Sequence, residues 1–215
     1  MEKEYSKLSG YSLMIGSLLM VITMVLHPSG GNIEHILKIK TIIIVSHSLA
    51  ILSIPFVAFG FWGFSTALIN KSRLSVLSFA ISCLGLFAVM IAATINGLTL
   101  PLYLSHITQS EYNPEVITAI IRYGTFINNP MDYIFMFSLA LSICIWSVLI
   151  IRSSHFQKWI GYYGIAILIG GVILVISGIN LVHLAGFRIV VFLIVSWIVI
   201  IALRMIMHQT DTLEK

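Results

Sequence analysis

Charge is what this chain has least of. Of 215 residues, 12 are Lys or Arg and 8 are Asp or Glu, together 9%. Soluble domains carry about 25% charged residues, so a water-soluble globular fold is excluded. Cysteine is scarce too: Cys83 and Cys144 stand far apart inside apolar runs, which excludes a disulfide framework or a zinc motif and leaves both as small packing residues. The one acidic residue at the edge of an apolar run is Asp132, poor material for a proton pump built on a chain of carboxylates. Gly-x-Ser-x-Gly, a phosphate-binding Gly-rich loop with Lys, and His-Glu-x-x-His are all missing. The formal charge of +4 is spread thinly between apolar runs, and no nucleic-acid partner is expected from it.

What the chain does have is hydrophobicity: 59% apolar residues and a mean hydropathy of +1.03. Charge-free stretches run from Leu8 to Ile33, Thr41 to Asn70, Leu74 to Gln109, Tyr133 to Ile151, Trp159 to Phe187 and Ile189 to Leu203. A bilayer-spanning helix needs about 20 mostly apolar residues. The expected fold is therefore an all-α polytopic bundle of six transmembrane helices, at roughly 10–27, 40–70, 74–104, 131–151, 159–183 and 187–208. Residues 1–215 would form one transmembrane domain with no soluble domain. Tyr11 to Leu26 follows Lys3 and Lys7 as a secretory signal would, but no small-x-small cleavage site comes after it, so an uncleaved first span is expected.

The basic residues orient the bundle. Lys3, Lys7, Lys71, Arg73, Arg152, Lys158, Arg204 and Lys215 fall on one side, against Lys38, Lys40, Arg122 and Arg188 on the other. The positive-inside rule puts the first group, and both termini, in the cytoplasm. Tight inner loops at Asn70 to Arg73 and Arg152 to Lys158 make spans 2 and 3, and spans 4 and 5, antiparallel neighbours. Two outer loops carry short interfacial helices. Asn32 can cap one bearing Glu34, His35, Lys38 and Lys40, and Asn113-Pro114-Glu115 can start another that runs from Val116 to Tyr123 over the outer surface. Trp62, Trp146 and Trp197 lie in the inner halves of spans 2, 4 and 6, a placement that interfacial anchoring alone would produce.

Small residues recur at helical spacing. Span 3 carries Ser75, Ser78, Ser82, Gly85, Val89, Ala92, Asn96, Thr99 and Tyr103 on one face. Span 1 has Ser12, Gly16, Thr23 and His27, and span 5 has Ala166, Gly170, Ile173, Ser177 and Asn180, with His183 one turn on. Such stripes are the ordinary packing faces of helices in lipid, where backbones approach through small residues. The functional alternative is a narrow, weakly polar cavity between them.

The polar groups gather at one depth: His27, His47, Asn96, Asp132, Asn180, His183 and Arg188 all fall at the outer ends of the spans. An ionisable group at membrane depth is a functional candidate, less sharply so at the rim, where its cost is lower. Four readings follow. The group can be a hydrogen-bonding pocket for a small molecule or a lipid head group, with Arg188 as anion partner. Neutral His27, His47 and His183 can bind a divalent metal, with Asp132 or Glu34 completing the set. Two of the histidines can ligate a haem or flank a quinone. Otherwise they are boundary residues paired with each other and with water. His106, His155 and His208 belong to loops or ends.

His27-Pro28-Ser29-Gly30-Gly31, then Ser46-His47, and Trp159-Ile160-Gly161-Tyr162-Tyr163-Gly164 opening span 5, resemble uncharacterised families of small multi-pass bacterial membrane proteins. The resemblance implies a cytoplasmic membrane location and no catalytic residue. The functional expectation is a membrane protein that binds or passes a small or lipid-like ligand through an outward pocket between spans 1, 2, 3 and 5, covered by the Asn113 to Tyr123 helix. The rivals are a histidine-dependent metal or haem enzyme and an accessory protein that packs against a partner's helices.

Overall fold

A computed structural model describes residues 2–69, 72–107, 113–153 and 156–207. The chain forms α1 (Glu2–Leu26), α2 (Ile33–Lys38), α3 (Lys40–Leu68), α4 (Leu74–Ala92), a π-helical segment (Ala93–Thr99), α5 (Leu100–His106), α6 (Pro114–Arg152), α7 (Lys158–Ile176) and α8 (Leu184–Met207), with no strand among the described residues. Six of these units are long and apolar enough to cross a membrane: α1, α3, α4 through α5, α6, α7 and α8. The protein is a polytopic membrane helix bundle. The tight turn at Asn70 and Lys71, and His155 and His208, lie outside the described residues.

Helices in lipid gain little from burying apolar surface against each other, so close backbone approach holds them together. α1 and α3 meet where Gly16 faces Val57, Leu13 covers Gly60 and Ser9 covers Gly63. The Ser12 hydroxyl donates to the Phe56 carbonyl at 2.8 Å across the same seam. α4 lies along α6 through Gly85 against Phe135 and Ser138, and the Ser142 hydroxyl reaches the Ser78 carbonyl at 2.8 Å. Ser75, Ser78, Ser82, Gly85 and Ala92 are all buried, so the span-3 stripe is a packing face over this length.

Three elements differ from their expected form. The helix starting at Pro114, capped by the Asn113 carboxamide, does not stop at Tyr123 but continues through Pro130 into span 4 as one 39-residue helix. Gly124 and Asn128-Asn129-Pro130 read as stop signals, but Gly124 is buried against Asn96 of span 3 and the helix runs on, a proline in a membrane helix being tolerated where neighbours satisfy the backbone. Its first turns, with Ile117 and Ile121, pack against Ile36 of α2, Ile43 of α3 and Leu104 of α5 in a small apolar cluster. α7 ends at Ile176, seven residues short of the expected His183. Gly178 takes φ +80°, and the Gly178 and Ile179 amides donate back to the Val175 and Leu174 carbonyls, closing the helix in a Schellman turn. The stripe from Ala166 through Ser177 to His183 faces away from the bundle, with Ala166, Ile173, Ser177, Asn180 and His183 exposed, because α7 packs through its other face, Ile160, Gly161, Gly164 and Ile167. Finally, Trp146 and Trp197 are not interfacial anchors. Both are fully buried, stacked at 6.3 Å between centroids, with Phe64 edge-on to each. Trp62 alone of the three is exposed.

Candidate functional site

Proline sets the local geometry of the site. Pro101 has no amide hydrogen for the Gly97 carbonyl one turn back, and the turn ahead of it widens to i→i+5 pairing, with the Leu100 amide donating to the Ile95 carbonyl. The wider turn changes which residues face inward. An uninterrupted α-helix would have kept Asn96, Thr99 and Tyr103 on the stripe's face; instead Thr99 and Tyr103 are exposed, Asn96 is half-buried and Gly97 is buried. The His47 ring lies against Gly97, where even a methyl group would overlap it.

His47 sits two turns into α3 and His27 immediately follows α1. The α1–α3 packing brings their imidazoles to 4.7 Å between centroids, tilted by 53°. Each ring spends Nδ1 on a carbonyl: His27 on Pro28 at 3.0 Å, His47 on Ile43 at 2.8 Å. A carbonyl only accepts, so Nδ1 carries the hydrogen and, in the neutral ring, Nε2 is left as a lone-pair acceptor. Burial lowers the His27 imidazole to about 4, the neighbouring His47 ring and the Arg188 charge adding to the effect against the hydrogen bond to Pro28. His27 is therefore neutral at pH 7.

Both histidines line one cavity of about 160 Å³ at the rim of the bundle. α1 contributes Thr23 and Met24 to it and α3 contributes Ala50. Val89, Ala92 and Ala93 come from span 3, Asn128 and Asp132 from α6, and Phe187 from α8. Pro28 and Gly30 after α1, with Val182 and Leu184 ahead of and at the start of α8, complete the wall. Asp132 is buried, and its Oδ2 accepts from Asn128 Nδ2 at 2.5 Å, one turn away on the same helix. Thr23 is 2% exposed, and its hydroxyl has no hydrogen-bond partner. A second, apolar cavity of about 40 Å³ shares Thr23, Met24, Ala50, Val89 and Phe187 with the first and runs on between Met20, Ile54, Leu86 and Val191.

The expected site residues thus divide. His27, His47 and Asp132 line the cavity; Asn96, Asn180, His183 and Arg188 do not. Arg188 donates Nη2 to the His27 carbonyl at 2.5 Å and so ties α8 to the end of α1. Asn96 donates to the Gly124 carbonyl at 3.2 Å and joins span 3 to α6. Asn180 accepts from the Val182 amide in the turn after α7. α7 contributes no lining residue and α6 takes its place; of the expected fifth span only Val182, beyond the end of α7, reaches the wall. Residues 113–123 are absent from the lining as well; Val116 and Ile117 instead border a separate cavity with Tyr103 and His106.

Among the described residues, no three His, Cys, Asp or Glu side chains form a group that could hold a metal ion. The triad of His27, His47 and His183 fails because His183 is exposed in the turn that follows the early end of α7. Sequence reasoning missed Asn128 and Gly97; Thr23 stood in the span-1 stripe, and only the lack of a partner for its hydroxyl was not legible. Asn128 was legible as the residue four before Asp132 on a common helix, once that helix is allowed to pass through Pro130. Compared with known proteins, the chain matches no family model, no curated protein and no solved structure.

Proposed function

We propose that this integral membrane protein binds a small ligand in the rim cavity between α1, α3, span 3, α6 and α8. The observation that carries the reading is the convergence of three elements on one space: the His27 and His47 rings 4.7 Å apart, with Asp132 across about 160 Å³. An engineered apolar cavity of about 150 Å³ holds a benzene-sized molecule, so the room suits a compact organic ligand better than a folded lipid. By the distribution of basic residues, the rim carrying the cavity is the outer one and both termini are cytoplasmic. The membrane in question is the cell membrane.

Thiol accessibility tests the pocket. In a protein whose Cys83 and Cys144 are replaced by Ala, Ala50→Cys lines the cavity, whereas Ala88→Cys on the buried side of α4 does not. A small water-soluble thiol reagent added to intact vesicles should modify position 50 and spare position 88. Protection of position 50 equal to that of position 88 would refute a ligand-accessible cavity.

A further inference from the structure

The lining atoms are unequal in kind, and the inequality selects a ligand. Both histidine Nδ1–H groups are consumed by backbone carbonyls, so the neutral rings offer the cavity acceptors only. Asp132 offers carboxylate oxygens. Asn128 spends an amide hydrogen on Asp132. Thr23 carries a hydroxyl that is 98% removed from solvent and bonded to nothing. A threonine inside a helix ordinarily returns its hydrogen to a carbonyl on the preceding turn, as Thr94 and Thr118 do here. The two imidazole nitrogens and the carboxylate call for a donor at the centre of the wall; the Thr23 oxygen has lone pairs that can accept from it too, although its own hydrogen is a donor. Asp132 adds a demand of sign: it is 7% exposed and has no ion-pair partner among the described residues. A buried carboxylate is costly until a cation joins it. Arg188, the fixed positive group beside this site, is turned to the His27 carbonyl and does not line the cavity.

Resting on the pocket reading above, we infer that the ligand is a small amphipathic amine. Its protonated nitrogen sits among Asp132, the free imidazole nitrogens and the Thr23 hydroxyl, and its hydrocarbon end enters the apolar cavity between Met20, Ile54, Leu86 and Val191. An ammonium supplies N–H donors and one positive charge in a single atom-sized centre, which matches both demands. Thr23 stands where the two cavities join, the level at which head and tail of such a molecule meet. A bare metal cation would satisfy the charge but finds no third ligand from His, Cys, Asp or Glu among the described residues.

The experiment holds the tail constant and changes the head. Binding of hexylamine, hexan-1-ol, hexanoate and N,N,N-trimethylhexylammonium is measured calorimetrically on the full chain in lipid nanodiscs, with empty nanodiscs subtracted. Hexylamine should bind tightest. The trimethyl compound, which keeps the charge without N–H donors, should fall about tenfold or more behind it, the range of a lost hydrogen bond to a charged group. Asp132→Asn should cost hexylamine about tenfold or more while leaving hexanol unchanged. Thr23→Val, which keeps the side-chain shape, should weaken hexylamine about threefold to tenfold without lowering the melting temperature. Equal affinity for hexanol and hexylamine, or an Asp132→Asn variant that binds hexylamine as wild type does, would overturn the amine assignment and leave the pocket standing. If no probe binds and Ala50→Cys is also unreactive, the pocket itself is refuted, and the amine with it.

Discussion

Gly97 is where the packing of the site can be tested most directly. A Cβ built there would overlap not only the His47 ring but also the His47 Cβ. A side chain can rotate its ring away, but not its Cβ, so Gly97→Ala must push the π segment and α3 apart. Overpacking of this kind costs about 1–3 kcal/mol. Against it stands the advantage of Ala over Gly in a helix, about 0.5–1 kcal/mol. Because the clash reaches the fixed His47 Cβ, the upper half of the overpacking range applies and the net is a loss of about 1–2.5 kcal/mol; for a chain of this length 1 kcal/mol moves the melting temperature by about 2–4 °C. A fall of about 2–10 °C is expected in detergent-solubilised protein followed by a thiol-reactive or intrinsic-fluorescence melt. Gly171→Ala is the internal control: nothing lies within 4 Å of the methyl it would add. That variant should show only the helical advantage, a rise of about 1–4 °C. The double variant Gly97→Ala, His47→Ala removes the ring half of the clash and should cost less than the sum of the two single changes. If Gly97→Ala melts at or above wild type, alongside Gly171→Ala, then His47 is not seated on Gly97 and the cavity wall described here is wrong.

Two further expectations concern the core and the pH response. Trp146→Ala should destabilise by about 3–5 kcal/mol, the range for truncating a buried large aromatic, because the indole is fully buried between Phe61, Phe64 and Trp197. Trp62→Ala, on a half-exposed residue touching Phe79, should cost far less, and comparable melting losses for the two would contradict their assigned places. Stability should also fall as pH drops from about 6.5 toward 4, since His27 is held at about 4 in the folded chain. Between those values the unfolded state binds the proton that the folded state refuses, so lowering pH favours unfolding. His27→Gln should flatten the melting-temperature profile across that interval, and an unchanged profile would show that the ring titrates normally.

The bundle was legible in the sequence because its determinants are local. Charge-free runs of about 20 residues have one solution in a bilayer, and small residues at three- and four-residue steps mark where those helices touch, as Ser75 through Ala92 do. The site was legible only in part, and the failures share a cause. Depth along a helix can be counted from sequence, so His27, His47 and Asp132 were placed at one level. Facing depends on every turn between the reference and the residue, and single prolines and glycines reset it. Pro101 widens one turn and moves Gly97, instead of Thr99, onto the buried face. Gly178 ends α7 early, and the stripe that leads to His183 already faces outward at Ala166 and Ile173, since α7 packs through Gly161, Gly164 and Ile167 instead. Pro130, which by rule marks a boundary, interrupts nothing, and so the helix before it delivers Asn128 to Asp132. The two unforeseen residues, Gly97 against the His47 ring and Asn128 in the cavity wall, thus lie a few positions ahead of a proline, Pro101 and Pro130, whose local effect depends on what packs against it. That dependence is tertiary: the widened turn at Ala93–Thr99 persists beside a helix that offers the His47 ring to fill the space Gly97 leaves open. The same coupling makes the site sensitive to changes that touch none of its polar atoms, which is why a methyl group on Gly97 is a sharper probe of it than the loss of an imidazole.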